Sequence, residues 1–263
     1  MLGAIIGDVI GSVFEFNPTK SPDFVLFTAA SKFTDDTVLT IAVAACLLND
    51  KEYPKTLKDF TLRYPHRGFG SRYFNWAHSD NDQPYFSFGN GSAMRVSPIG
   101  FAFRAREEVL VEARKSASVT HNHPEGIKGA QATALAIFLA RHGASKFEIK
   151  TQIESDFGYD LHRNYRDIQP EYYFNETCQG SVPEAIIAFL ASEDFEDAIR
   201  KAIALGGDAD TQACIAGGIA EAFYKDIPAE LIAQSTCRLP EEFIEIIERF
   251  YNKFLGRRMN LII

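Results

Sequence analysis

Gly3, Gly7 and Gly11 recur at every fourth residue of the segment LGAIIGDVIG, close to the first residue of the sequence. In an α-helix, positions i, i+4 and i+8 share one face, so the three glycines form a strip without side chains. Each glycine inside a helix costs about 1 kcal/mol relative to alanine, and three on one face predict that another backbone runs against it. The segment therefore reads as a central, tightly packed helix. Its C-terminal end presents Glu15 either to solvent or to whatever cleft the core helices surround. The apolar run lacks a basic lead-in and carries Asp8, which argues against an export signal, and it is too short to span a bilayer. A folded helix of a cytoplasmic, membrane-free protein is the expectation.

Helix signals continue through the sequence. Residues 34–49 begin at Thr-Asp-Asp, and 124–142 open on Pro124 and stop at His142-Gly143. Pro183 predicts a helix start, Ser192 predicts the cap of a helix running to Leu205, and Thr211 to Tyr224 and Pro240 to Leu255 follow the same pattern. Strand patterns are weak, with Phe24 to Phe27 and the last five residues as the candidates. With 263 residues, 46% hydrophobic, no long linker and no fixed-period repeat, a single all-α domain over residues 1–263 is the simplest architecture.

The formal charge of -8 argues against general nucleic-acid binding, although metal ions or helix N-termini can still draw an anionic ligand to an acidic chain. Cys46, Cys178, Cys214 and Cys237 form no Cys-x-x-Cys pair, so buried free thiols are expected.

Two acidic segments carry the chemistry. Thr34-Asp35-Asp36 and Asp208-Ala209-Asp210-Thr211 each stand where a helix begins, where one oxygen suffices for a cap. The second offers three such groups after the pliable Gly206-Gly207. Carboxylates with hydroxyl neighbours suit hard cations such as Mg²⁺ or Mn²⁺ rather than structural zinc. If the two helix starts meet, their mutual repulsion favours a binuclear cation site. Between them, Ser87-Phe88-Gly89-Asn90-Gly91-Ser92 exposes backbone N–H groups in the manner of a phosphate cradle, and also reads as a turn. Phe86 and Phe88 are either core or a stacking face for a base. His121 and His123 lack a third zinc ligand at useful spacing, so capping or ligand contact is expected of them. Arg63, Arg67 and Arg72 read as solvated charges flanking a Tyr- and Gly-rich loop.

The ordered segments GAIIGDVIGSVFEF, FTDDTVLTIAVA, FGNGSAMRVSPIG, THNHPEGIKGAQATALAIF, SVPEAIIAF and GGDADTQACIAGGIAEAFY resemble the ADP-ribosylglycohydrolase family from about Leu2 to Tyr224. The resemblance implies a compact orthogonal helical bundle around a two-metal cleft, holding usually Mg²⁺ and sometimes Mn²⁺. By it, the metal ligands fall on Thr34, Asp35, Asp36, Asp208, Asp210 and Thr211, and a gate or acid/base glutamate falls on Glu15. The ligand-binding set falls on Ser87, Phe88, Gly89, Asn90, Gly91, Ser92 and His121. Phe88 stands where some relatives have tyrosine, which keeps a stacking face and removes a hydroxyl.

The implied reaction is hydrolysis of the glycosidic bond of an ADP-ribosyl group on a protein or small molecule, by a monomer, with Glu15, Asp35 or Asp36 assisting proton transfer. A silent ADP-ribose-binding relative and a two-metal nucleotide phosphohydrolase are the alternatives. The acidic ligands whose loss marks silent relatives are all present. Loops 62–85 and 156–178 are expected to meet the leaving group.

Overall fold

The computed structural model describes residues 1–259 and 261. Its first helices are α1 (Leu2–Gly11), α2 (Asp35–Asn49), α3 (Tyr53–Arg63), α4 (Ser71–Ala77), α5 (Gly91–Met94), α6 (Ser97–Ala102), α7 (Arg106–Ser118) and α8 (Pro124–Arg141). There follow α9 (Lys146–Phe157), α10 (Tyr165–Ile168), α11 (Cys178–Ala191), α12 (Phe195–Ala204), α13 (Ala209–Tyr224), α14 (Ala229–Thr236) and α15 (Glu241–Phe250). A π-helical turn, Tyr251–Leu255, extends the last of them. The architecture is compact and all-α. No strand forms among the described residues: Phe24 to Phe27 are irregular, and of the last five residues Asn260, Ile262 and Ile263 lie outside the description.

The glycine strip is explained by α13. A Cβ on Gly3 would collide with the carbonyl of Gly217, one on Gly7 with the carbonyl of Ala213, and one on Gly11 with the backbone of Asp210. The two helices therefore run antiparallel in backbone contact, and every residue of α1 is buried. The start of α1 is pinned as well. The Met1 ammonium pairs with Glu221 at 2.5 Å, and the Gly3 N–H donates to the same carboxylate at 2.7 Å. Because the helices are antiparallel, the end of α1 and the start of α13 arrive at the same place.

Two predicted helix starts are corrected. The helix assigned to Pro183 begins at Cys178, where Thr177 caps it by accepting the Gly180 N–H at 3.1 Å, so Pro183 lies inside α11. The helix assigned to Ser192 is capped by Asp194, whose Oδ1 accepts the Asp197 N–H at 2.8 Å. Ser192 instead bonds Phe189 O and the Tyr224 hydroxyl. Of the cysteines, Cys46, Cys178 and Cys214 are free and buried as expected, whereas Cys237 is exposed. No helix among the described residues is long and apolar enough to cross a membrane.

Candidate active site

The starts of α2 and α13 meet beside the end of α1, at a cleft of about 330 Å³. Thr34 caps α2: its Oγ1 accepts the Asp36 N–H at 3.3 Å. The same hydroxyl donates to Asp8 Oδ1 at 2.6 Å, so it is capping oxygen and donor at once. Asp8 Oδ2 accepts the N–H groups of Thr34 at 2.9 Å and Thr37 at 3.1 Å, and the Thr37 hydroxyl also donates to it. Asp8, on α1, is thus the post to which the start of α2 is tied. Across the cleft, the Thr211 hydroxyl lies 3.4 Å from Asp36 Oδ2, and the Asn90 side-chain amide donates to Asp208 Oδ2 at 2.7 Å.

The resulting concentration of negative charge is large. One oxygen from each of Asp8, Asp36 and Asp210 lies within 4.8 Å of the others, and so do oxygens of Glu15, Asp208 and Asp210. Asp210 belongs to both sets. Burial, then the neighbouring carboxylates led by Asp210, raises Asp35 and Asp36 well above the usual carboxylate range. Burial and Asp208 do the same to Asp210. Asp208 is pushed up to about 6, chiefly by burial, and half-buried Glu15 to about 8 by burial and then Asp210. Asp36 Oδ1 is buried without a hydrogen-bond partner. An orphaned carboxylate oxygen amid mutually repelling acids fits a bound cation, which would satisfy the oxygen and neutralise the repulsion. These clusters could hold metal ions.

The glycine-rich loop forms the next wall. Ser87, Phe88, Gly89, Asn90 and Gly91 line the cleft. The loop is held by segment 176–178: the Asn90 N–H donates to Glu176 O at 2.8 Å and the Cys178 N–H to Phe88 O at 2.9 Å. Ser92 does not reach the cleft. It is fully buried, and its hydroxyl donates to Gly126 O at 2.7 Å, securing the loop to α8. Phe88 is 42% exposed and Phe86 57% exposed, which excludes a core role for both. Phe86 adopts φ +56°, a left-handed backbone that is rare for a bulky side chain and marks local strain.

The paired histidines divide the two expected duties. His123 caps α8 by accepting the Glu125 N–H at 3.1 Å, while Phe86 and Phe88 pack against its ring. His121 lines the cleft, buried, its ionisation held well below the usual histidine range by burial and then by Arg95 and Arg72.

Of the residues expected from the sequence, Glu15, Asp35, Asp36, Asp208, Asp210 and Thr211 converge on this cleft. Thr34 stands behind them as the cap. Asp35 belongs to neither of the three-acid sets and faces Gly68, where a Cβ would lie 3.3 Å from its Oδ1. Sequence reasoning missed Asp8, whose signal was a lone charge within an apolar helix. The wall formed by Gly68, Gly70, Arg72 and Tyr85 falls within the 62–85 loop that was expected to meet the leaving group. Arg72 is exposed, as expected of a solvated charge, and also donates to Tyr85 O at 2.6 Å over the Tyr85 ring. Arg67 stacks on Phe33 at 3.6 Å and its carbonyl accepts the Asp35 N–H at 2.7 Å.

Known proteins resemble the chain in sequence and fold. The chain is 29% identical to ADP-ribosylhydrolase ARH3 of Danio rerio, with 97% of the chain and 89% of the relative covered. It is 29% identical to the Homo sapiens protein of the same name, over 85% and 84% of the two. ADP-ribosylarginine hydrolase Tri1 of Pseudomonas putida is 28% identical, over 85% of the chain and 69% of that protein. A solved structure titled ADP-ribosylglycohydrolase-related protein complex superposes with a TM-score of 0.72 at 27% identity, covering 96% of each chain. The family model for ADP-ribosylglycohydrolase matches residues 1–259, which contain every element of the cleft, and the chain belongs to that family of hydrolases.

Proposed function

We propose that the cleft hydrolyses the glycosidic bond of an ADP-ribosyl group with the help of two divalent cations, Mg²⁺ in preference to Mn²⁺. The orphaned Asp36 Oδ1 between the two acidic helix starts is the observation that carries this reading. Thr34, Asp35, Asp36, Asp208, Asp210 and Thr211 would hold the cations, with Thr34 tied to Asp8. When bound, the cations supply Lewis-acid polarisation and a water of lowered pKa.

The protein's own groups have distinct tasks. The glycine-rich loop Gly89 to Gly91 offers a diphosphate a close backbone approach through its missing side chains rather than the row of free donors expected from the sequence. The Gly89 N–H donates to Ser87 Oγ at 3.1 Å and the Asn90 N–H to Glu176 O at 2.8 Å. Phe88 offers an exposed aromatic face for the base. Glu15, pushed up to about 8, is protonated near neutral pH while the cations are absent and can exchange a proton with water or leaving group at the cleft mouth. Asp35 is the other carboxylate placed for that exchange. The substrate is an ADP-ribosylated protein or an ADP-ribose-containing small molecule, handled by a cytoplasmic monomer built as one domain over residues 1–263.

The test is a panel of defined ADP-ribosylated substrates, with arginine, serine, acetyl-ester and nucleic-acid-end linkages, incubated with Mg²⁺, Mn²⁺ or EDTA. Release of ADP-ribose from at least one linkage, lost in EDTA, is expected. Undiminished release in EDTA, or release of phosphate with the glycosidic bond intact, overturns the proposal.

A further inference from the structure

Arg95 is the largest fully buried side chain among the described residues, and it directly follows the loop and α5. Its Nη2 donates to Ser116 O at 2.8 Å and to Thr120 Oγ1 at 3.1 Å. A guanidinium can only donate, so Thr120 Oγ1 is the acceptor of that bond. The Thr120 oxygen has a second lone pair and is free to accept from an Nδ1–H as well. Among the described residues, however, its own proton has no acceptor within reach other than His121 Nδ1, 2.7 Å away, so donation to that nitrogen is the arrangement that leaves no buried hydroxyl proton unpaired. An Nδ1 that accepts carries no proton, and in a neutral imidazole the proton must sit on Nε2. Nε2 is the nitrogen turned to the loop: a Cβ on Gly91 would lie 3.2 Å from it and one on Gly89 3.6 Å.

We propose that Arg95 and Thr120 are positioning residues that fix His121 as the Nε2–H tautomer, making its loop-facing nitrogen a standing hydrogen-bond donor to a ligand oxygen. The opposite tautomer would present a lone pair to that oxygen and repel it. Burial and the nearby arginine charges keep the ring neutral, so the choice between donor and acceptor rests on the Thr120 hydroxyl. The relay occupies only Nη2 of the buried guanidinium; Nε and Nη1 have no hydrogen-bond partner, and Arg95 is itself among the residues that line the cleft. That the oxygen belongs to ADP-ribose rests on the function proposed above; the tautomer itself does not.

Two measurements separate these. Nitrogen-15 NMR of the histidine side chains, with His121→Gln to assign the signal, reads the tautomer in the full-length protein without ligand. Wild type should show Nε2–H at neutral pH, Thr120→Val should lose that preference, and Thr120→Ser, which keeps the hydroxyl, should restore it. Calorimetric titration with ADP-ribose should show Kd raised about 10-fold in Thr120→Val, the scale of one misdirected hydrogen bond, and within about twofold of wild type in Thr120→Ser. An Nδ1–H signal in wild type overturns the proposal, and so does an unchanged tautomer in folded Thr120→Val. Nε2–H in wild type with no binding of ADP-ribose would support the relay and overturn the functional reading.

Discussion

The two ends of α2 and α13 are chemical opposites. Their N-termini carry Asp35, Asp36, Asp208 and Asp210 at the cleft. The C-terminus of α13 faces a second pocket lined by Arg104, Arg141, Lys225, Lys253 and Arg257 together with Glu221, and Lys253 reaches from it to the last turn of α2. Helix dipoles account for both signs, since acids suit N-termini and cations suit C-termini. Only the basic end is explained by dipoles alone. There Lys253 donates to Leu47 O and Leu48 O in the last turn of α2, at 3.3 and 2.9 Å, and Arg141 donates to Phe101 O and Phe103 O at the end of α6. Lys225, Lys253 and Arg257 are exposed, so water shares the burden of their charge. The acids of the other end are buried and crowded until each resists ionisation. Asp194 gives the scale: it caps α12 from an exposed position and needs no partner beyond the helix. An acidic helix start that exceeds what a cap requires is the signature of a site.

Asparagine caps a helix about as well as aspartate, so an Asp→Asn exchange separates the two roles. Asp36→Asn and Asp210→Asn are each expected to lower kcat/KM in Mg²⁺ by about 10³-fold, from loss of cation-based charge stabilisation. Each should also abolish the rise in Tm that Mg²⁺ gives the wild type. Asp194→Asn should leave both measurements unchanged. Equal, small effects at all three positions would erase the distinction between the two kinds of helix start.

The convergence of the acids depends on the α1–α13 contact, which offers no room. Gly7→Ala would drive a methyl group into the Ala213 carbonyl, and backbone on a packed helix cannot yield as a flexible side chain does. Overpacking of this kind is expected to cost about 3 kcal/mol, a fall in Tm of about 10 °C by calorimetry. A fall under about 2 °C would mean that the two helices can separate without consequence.

A smaller, reversible effect should follow pH. Glu15 at about 8 and Asp208 at about 6 hold their protons more tightly in the folded than in the unfolded chain, as do Asp36 and Asp210. The folded state then binds more protons, so in EDTA the stability present in the ordinary carboxylate range is lost as pH rises through 6 and 8. Saturating Mg²⁺ should flatten that slope. Melting curves from pH 5 to 9 that run parallel with and without Mg²⁺ would contradict it.

Local chemistry was legible in the sequence; convergence was not. Residues 34–49 and 124–142 were placed almost to the residue, because Thr34 and His123 cap through their own neighbours. Pro183 misled because a proline normally opens a helix, whereas Thr177 had capped α11 before it and only the bond to Gln179 O is forgone. Gly3, Gly7 and Gly11 announced a partner backbone without naming it, since Gly217 and Ala213 lie more than 200 residues away in sequence. Asp8 stayed hidden for the same reason: its partners Thr34 and Thr37 are separated from it by 26 and 29 positions. Those separations are also why the carboxylates of two capping segments could be proposed, but not seen, to share one cleft.

The basic end supplies the smallest test and the sharpest control. If Lys253 does no more than complement the end of α2, then Lys253→Met keeps the apolar stem and removes the charge with its two bonds to Leu47 O and Leu48 O. The expected loss is about 0.5 kcal/mol, near 2 °C in Tm, and it should shrink at high salt as screening weakens the charge–dipole attraction. Turnover should not change, because the cleft lies at the far end of a 15-residue helix, about 20 Å away. A loss of kcat/KM beyond about twofold would show that the basic end is coupled to the acidic one, and that charge complementarity at helix C-termini is not a sufficient account of it.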